Sequence, residues 1–442
     1  PQQIIQPHQP VASDVIDLSA MPFEQAKERI IAELDRPFNL QEEPGFRYRL
    51  YRLGVDEHVL SFTFHHIISD YWSENLFFKE FTQCYEAFSE GNETNLKPLP
   101  IRYADFALWQ RQWLSQAGVL EFLLGYWQPR LQGLAQPDLP ADHSSKGESE
   151  RRIEFKKITI AAEQVTALKT LSRQTKVKRF AVLLTALKLT LAEYLQTNDV
   201  AVFSPVTNRH RPELQNLMGD FSNLLILRSD LSGNPAIAEL LQRVGQVVSG
   251  AIAHQDLPLQ LIKAAIPLKM PQVSFSYLNI PQETLTLSDV DVEPWDLGLG
   301  TNDFELFLLL TERKGCLEGY LKYNAGLFSE STIQTMLERF QAILTGMAAQ
   351  PEQPVSLLLS DEIPKPPSKP TGCKSENGLL LPIAALVDQI QQHLKKSNKA
   401  SVLRHRLSHT DLLLSKKHFS QTAGQRDYSR LFQRYGCRQE NI

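Results

Sequence analysis

The run His65-His66-Ile67-Ile68-Ser69-Asp70 places two imidazoles and a carboxylate within six positions. Residues of these types can do acid–base chemistry, since a histidine's pKa lies near working pH. Metal binding is a second chemistry open to such a cluster. Adjacent strand residues diverge, however, and no cysteine or carboxylate cluster lies nearby to complete a ligand set, so no metal is expected. A third reading assigns no chemistry: Asp70 is only a helix cap, and the histidines only end a strand with satisfied hydrogen bonds.

The flanking residues show what must position the run. Val59-Leu60-Ser61-Phe62-Thr63-Phe64 alternates as a strand does. Continued through the histidines, that alternation puts Leu60, Phe62, Phe64 and His66 on one face, and Val59, Ser61, Thr63 and His65 on the other. Only one histidine then looks into any given cleft. After Asp70 the spacing turns helical, with Leu76, Phe77, Phe81, Cys84, Tyr85 and Phe88 on one apolar face. Asp70 or Ser69 falls at the N-cap, where the helix dipole favours a carboxylate.

The run resembles the HHxxxDG motif of condensation domains from nonribosomal peptide synthetases. Further segments match that family in order. Tyr103-Ala104-Asp105-Phe106-Ala107-Leu108-Trp109-Gln110 resembles YxDYAxWQ. Asn208-Arg209-His210-Arg211-Pro212-Glu213-Leu214 resembles NRxRPEL, and Met218-Gly219-Asp220-Phe221-Ser222-Asn223 resembles (I/M)GxFxN. His254-Gln255-Asp256-Leu257-Pro258-Leu259-Gln260 resembles HQDxPFE. Asp303-Phe304-Glu305-Leu306 and Tyr323-Asn324-Ala325-Gly326-Leu327-Phe328 resemble the late DL strand and YNxxLF. The family's opening segments have no counterpart after Pro1, so the first lobe is expected to be truncated at its N-terminus. Tyr71 stands where the family has glycine, and the RDxSRNPL segment has no counterpart between Ile266 and Phe275.

The resemblance implies an α/β fold of two chloramphenicol-acetyltransferase-like lobes with an active-site tunnel between them. The activity implied is amide bond formation between a carrier-bound acyl or peptidyl thioester and a carrier-bound aminoacyl amine. No cofactor is bound directly; both substrates hang on 4′-phosphopantetheine. Peptidyl and aminoacyl carrier proteins and neighbouring adenylation domains are the implied partners. His66 is expected to accept the amine proton or orient the amine, and Asp70 to form a structural salt bridge with Arg209. His65 is expected to point away and pack. Tyr71, Trp72, Ser73 and Asn279 are expected to line the tunnel. Two rival readings share the motif: a catalytically impaired condensation-like module that binds carrier proteins, and an HHxxxD acyltransferase that uses acyl-CoA.

Composition sets outer limits. The 442 residues, 42% of them hydrophobic, can bury a substantial core. From Gly372 onward the chain carries 12 Lys+Arg against 5 Asp+Glu, a formal +7, while the remainder carries 34 against 45, a formal −11. An acidic body argues against nucleic-acid partners. Cys84, Cys316, Cys373 and Cys437 form no CxxC pair and no zinc spacing. The start PQQIIQPHQPVASD lacks the pattern of a signal peptide, and no run is apolar enough to span a bilayer. A cytoplasmic protein without membrane contact is expected.

The resemblance, together with the break in periodicity around 132–151, implies an incomplete N-terminal lobe (1–150) and a C-terminal lobe (151–355), and composition adds a proline-rich linker (356–371) and a basic tail (372–442), disordered or non-native. Strands are expected near 46–53, 59–64, 200–205, 224–228, 273–277, 304–311 and 317–323. Helices are expected near 23–34, 72–88, 103–117, 120–131, 161–174, 180–195, 236–254 and 329–348.

Overall fold

The computed structural model describes residues 15–143, 152–278, 285–295 and 304–359, with the backbone of 401–406 and 409–410. Two mixed sheets dominate it. The first begins with β1 (Val15–Asp17), β2 (Phe46–Arg52) and β3 (Glu57–His65). β1 pairs parallel to β2, and β2 pairs antiparallel to β3. One face of this sheet takes α1 (Phe23–Leu34), whose Ala26, Ile30 and Leu34 pack with Tyr51 and Val59. The other takes α2 (Tyr71–Ser89), whose Phe78, Phe81 and Tyr85 pack with Leu50, Leu60, Phe62 and Phe64. The buried face of α2 is thus centred on Phe78, and Phe88 is exposed, a correction to the expected stripe. Glu74 lies in register with Phe78, Phe81 and Tyr85 and is buried with them. A carboxylate in that stripe disguises it in the sequence.

The strands of the second sheet are β4 (Ile153–Ile160), β5 (Asp199–Val206), β6 (Asn223–Asp230), β7 (Val273–Leu278), β9 (Leu306–Arg313) and β10 (Cys316–Asn324). Their order across the sheet is β4-β10-β9-β7-β5-β6. β9 and β10 form a hairpin, turning through Lys314 and Gly315 at φ 46° and 84°. Positive φ at both central residues suits a two-residue turn to the twist of its strands. Helices α5 (Ala162–Thr175), α6 (Arg179–Leu195), α7 (Ile237–Ala253), α8 (Leu259–Ala265) and α9 (Glu330–Ala349) complete this half.

The halves interlock. α3 (Tyr103–Leu114) sends Phe106 against Leu214, Leu217 and Phe221. α4 (Val119–Leu131) buries Leu123, Trp127 and Leu131 in the core of the second sheet. By packing, α4 therefore belongs with the second sheet. In return β8 (Val290–Pro294), from the second half of the chain, joins the first sheet. Between β3 and β8 runs β11 (Ser401–Arg406), parallel to both. β12 (His409–Thr410) continues along β3. These strands lie in the basic tail, where the sequence leads one to expect no order; the rest of the tail and residues 360–371 lie outside the described residues. Among the described residues no helix is long and apolar enough to cross a membrane.

One cation sits inside the second core. Lys188 of α6 is fully buried, and its Nζ donates to the Leu227 carbonyl (2.5 Å), the Ser229 hydroxyl (2.7 Å) and the Val200 carbonyl (3.3 Å). Burial lowers its pKa to about 7, against opposition from Asp199. An unfolded lysine keeps its proton to about pH 10. Between those values the unfolded chain binds a proton that the folded chain does not, so this group makes stability rise with pH. The melting temperature of the wild type should therefore climb by a few degrees relative to that of Lys188→Met between pH 7 and 9.5. A difference that stays constant across that range would show that the amine does not titrate there.

Candidate active site

β3 ends at His65, and the chain then makes a single 3₁₀ turn, His66–Ile68. Strand alternation therefore does not extend to His66, which corrects the expected sharing of a face with Phe64. The turn gives the two imidazoles different surroundings. His65 Nδ1 accepts the Ile67 N–H at 3.0 Å, which leaves the ring proton on Nε2. The ring stands edge-on to Phe38, with centroids 5.7 Å apart. Burial, and then the neighbouring His66, lower its pKa.

His66 faces the other half of the molecule. Its Nδ1 lies 3.6 Å from Oδ2 of Asp220, and the His66 side chain keeps 38% of its surface exposed. Asp220 is the first cause of a pKa raised to about 9, and burial opposes it. Glu74 also faces His66, from the first turn of α2. Burial raises its pKa well above the ordinary carboxylate value, and the neighbouring His66 opposes that rise.

Asp70 caps α2 and is almost fully buried. Its Oδ1 accepts the Ser73 N–H (2.8 Å) and Arg209 Nη2 (2.9 Å), and its Oδ2 accepts the Phe221 N–H (3.1 Å). The Ser73 hydroxyl lies 2.7 Å from Asp70 Oδ1 and accepts from Arg209 Nη2 (2.8 Å) and the Gly219 N–H (3.0 Å). Arg209 also donates to the carbonyls of Leu214 (2.7 Å), Leu217 (2.5 Å) and Gly219 (3.1 Å). Each charge thus has several hydrogen-bond partners, which burial requires, and of the Arg209 nitrogens only Nε is left without one. These contacts commit Asp70 and Arg209 to each other and to the loop around them.

The residues expected to line a tunnel separate. Ser73 is fully buried within this clasp and lines no passage. The Trp72 indole N–H donates to the Gln215 carbonyl at 2.8 Å and ties α2 to the other half. Tyr71 is the first residue of α2 and is absent from the positive-φ positions, so the place where the family has glycine carries no backbone strain here. Asn279 lies outside the described residues. Sequence reasoning missed Asp220 and Glu74. Asp220 belongs to the segment that resembles (I/M)GxFxN, but nothing in a single sequence aims it at His66.

Other matched segments brace the same loop. The Tyr103 hydroxyl donates to the Asp220 carbonyl at 2.7 Å. A Cβ at Gly219 would lie 2.1 Å from the Tyr103 ring, so only glycine fits there. Asn223 Nδ2 donates to the carbonyls of Gln255 (2.8 Å) and Leu257 (2.7 Å).

With this geometry in place, comparison with known proteins is direct. A family model described as "Condensation domain" matches residues 1–363. This chain belongs to the condensation domain family. It is 36% identical over 373 residues to a linear gramicidin synthase of Brevibacillus parabrevis, covering 81% of the chain and 7% of that synthase. Its fold matches the X-domain from teicoplanin biosynthesis at a TM-score of 0.68 and 24% identity, covering 80% and 82% of the two chains. It also matches the first condensation domain of the calcium-dependent antibiotic synthetase, at 0.61 and 20%, covering 81% and 79%. The chain thus corresponds to a small part of the length of the curated relative.

Breaking the clasp should cost stability before it touches chemistry. Asp70→Asn and Arg209→Ala are each expected to lower unfolding free energy by about 3–5 kcal/mol in urea titrations, because each strands a buried group. The double variant should lose less than the two singles together. Strict additivity would show that the pair is not coupled.

Proposed function

We propose that this condensation domain forms an amide bond between two carrier-bound substrates. The acceptor's amine nitrogen attacks the carbonyl carbon of the donor thioester. A C–N bond forms, the C–S bond breaks, and the thiol leaves with the proton that the amine gives up. Both substrates arrive on 4′-phosphopantetheine arms of carrier proteins, with adenylation domains as neighbours.

The observation that carries this reading is the placement of His66. It is the imidazole of the pair that turns toward the other half, where Asp220 meets it, while His65 is engaged by its own chain and Asp70 by Arg209. A reacting amine must be held at near-attack distance. A developing oxyanion must meet a fixed donor. A half-exposed imidazole whose other edge is held by a carboxylate suits that position. The ordinary backbone at Tyr71 removes one reason to assign the chain to a binding module alone.

The chain should be incubated with one acyl-loaded and one aminoacyl-loaded carrier, with intact mass as the readout. Transfer of the acyl group to the aminoacyl carrier is expected. His66→Ala should abolish it and shift the melting temperature little. A fully active His66→Ala variant would remove that ring from the mechanism. Transfer from acyl-CoA but not from a carrier would replace the donor assigned here.

A further inference from the structure

We propose that Asp220 is a positioning residue for this reaction: its carboxylate holds the His66 ring at Nδ1 and keeps it an imidazolium, so that Nε2 meets the substrate as a hydrogen-bond donor. The choice of donor over base rests on the amide-forming reading above; the charge on the ring does not.

Asp220 is well placed to act as a fixed anion. Its carbonyl accepts the Tyr103 hydroxyl at 2.7 Å, and its Oδ1 accepts the Ser222 hydroxyl at 2.7 Å. The residues on either side are anchored too, Gly219 to Ser73 and Phe221 to Asp70 through their N–H groups. Oδ2 is the oxygen turned to His66. Among the other titratable groups around the ring, Glu74 acts in the same direction as Asp220 but more weakly. His65, at the end of β3, is uncharged near neutral pH because burial and His66 both lower its pKa. Burial raises the pKa of Glu74, from α2, which weakens it as a source of negative charge beside the ring. Asp70 is taken up by Arg209 and by the N–H groups of Ser73 and Phe221. Tyr103, from α3, is pushed up to about 12 by burial and remains neutral. Asp220 is accordingly the first cause of the rise of His66 to about 9.

The chemical consequence is a division of roles. A charged N–H donor stabilises an oxyanion better than a neutral one. A base would need the ring without its second proton. Asp220 therefore selects electrostatic support of the tetrahedral intermediate, and the amine's proton leaves by the departing thiol or by water.

The test uses the full chain with histidine labelled at ¹³Cε1, and His66→Ala to assign the His66 resonance. The His66 midpoint should lie near 9 in the wild type. It should fall by about two pH units in Asp220→Asn, toward the ordinary histidine range, and return in Asp220→Glu. An ordinary midpoint in the wild type, or no movement in Asp220→Asn, overturns the proposal. Single-turnover amide formation between loaded carriers gives a second readout. The rate of Asp220→Asn relative to wild type should fall as pH rises from 6 to 8, because the variant loses its imidazolium in that range. A ratio that rises with pH makes the ring a base and overturns the donor role. If no amide forms with the wild type, the functional reading fails, while the titration still decides whether Asp220 holds the charge.

Discussion

The buried pair Asp70–Arg209 is the constraint on which the site depends. Moving a carboxylate and a guanidinium out of water costs several kcal/mol per ion, and only a nearly complete set of partners offsets it. Asp70 lies at the junction of the 3₁₀ turn and α2, and Arg209 follows β5 in the other half. Their union is satisfied only when the carbonyls of 214, 217 and 219 and the N–H of Phe221 also converge. The loop between β5 and β6 is therefore held against the start of α2 by a network that has few alternative arrangements. Asp220 lies between two of the anchored residues, and its distance from His66 follows from that anchoring.

The same network explains why two adjacent histidines behave oppositely. Identical side chains one residue apart have pKa values pushed in different directions, His65 down and His66 up. The backbone does the sorting. Once the strand gives way to a 3₁₀ turn, His65 bonds to its own chain and His66 reaches across the seam. Pairs of titratable groups that environment drives apart mark where acid and base roles are assigned. Glu74 belongs to the same pattern. Burial and Asp70 raise the pKa of this carboxyl, and Asp220 has the larger influence on the charge of His66.

Much of this is legible in the sequence, and the misses have physical causes. The helix cap at Asp70 follows from residue type and position, and its pairing with Arg209 from motif order. Most strands and helices are legible too, because their periodicities are long and clean. β4 escapes because its apolar residues divide between its two faces, with Ile153 and Phe155 on one and Ile158 and Ile160 on the other. β8 and β11 escape because each is short and is defined by the partners it finds in the first sheet, which local pattern does not encode. Assigning Ser73 to a passage fails for a related reason. Proximity to a motif says nothing about which way a helical side chain points, and its position in the first turn of α2 faces the clasp. Asp220 needs the tertiary contact itself.

The matched segments take on a mechanical meaning once they are seen together. Tyr103 fills the space that Gly219 leaves empty and binds the next carbonyl. Asn223 closes the same loop from its far end by capturing two carbonyls near the start of α8, while its Oδ1 accepts the Leu259 N–H at 3.1 Å. Arg209 grips the loop from beneath. None of these residues touches the exposed edge of His66, yet each fixes where Asp220 sits. The attraction between two charges falls as they separate. Holding one carboxylate beside one imidazole across two packed halves therefore requires braces from both, and those braces are the segments that the sequence makes conspicuous.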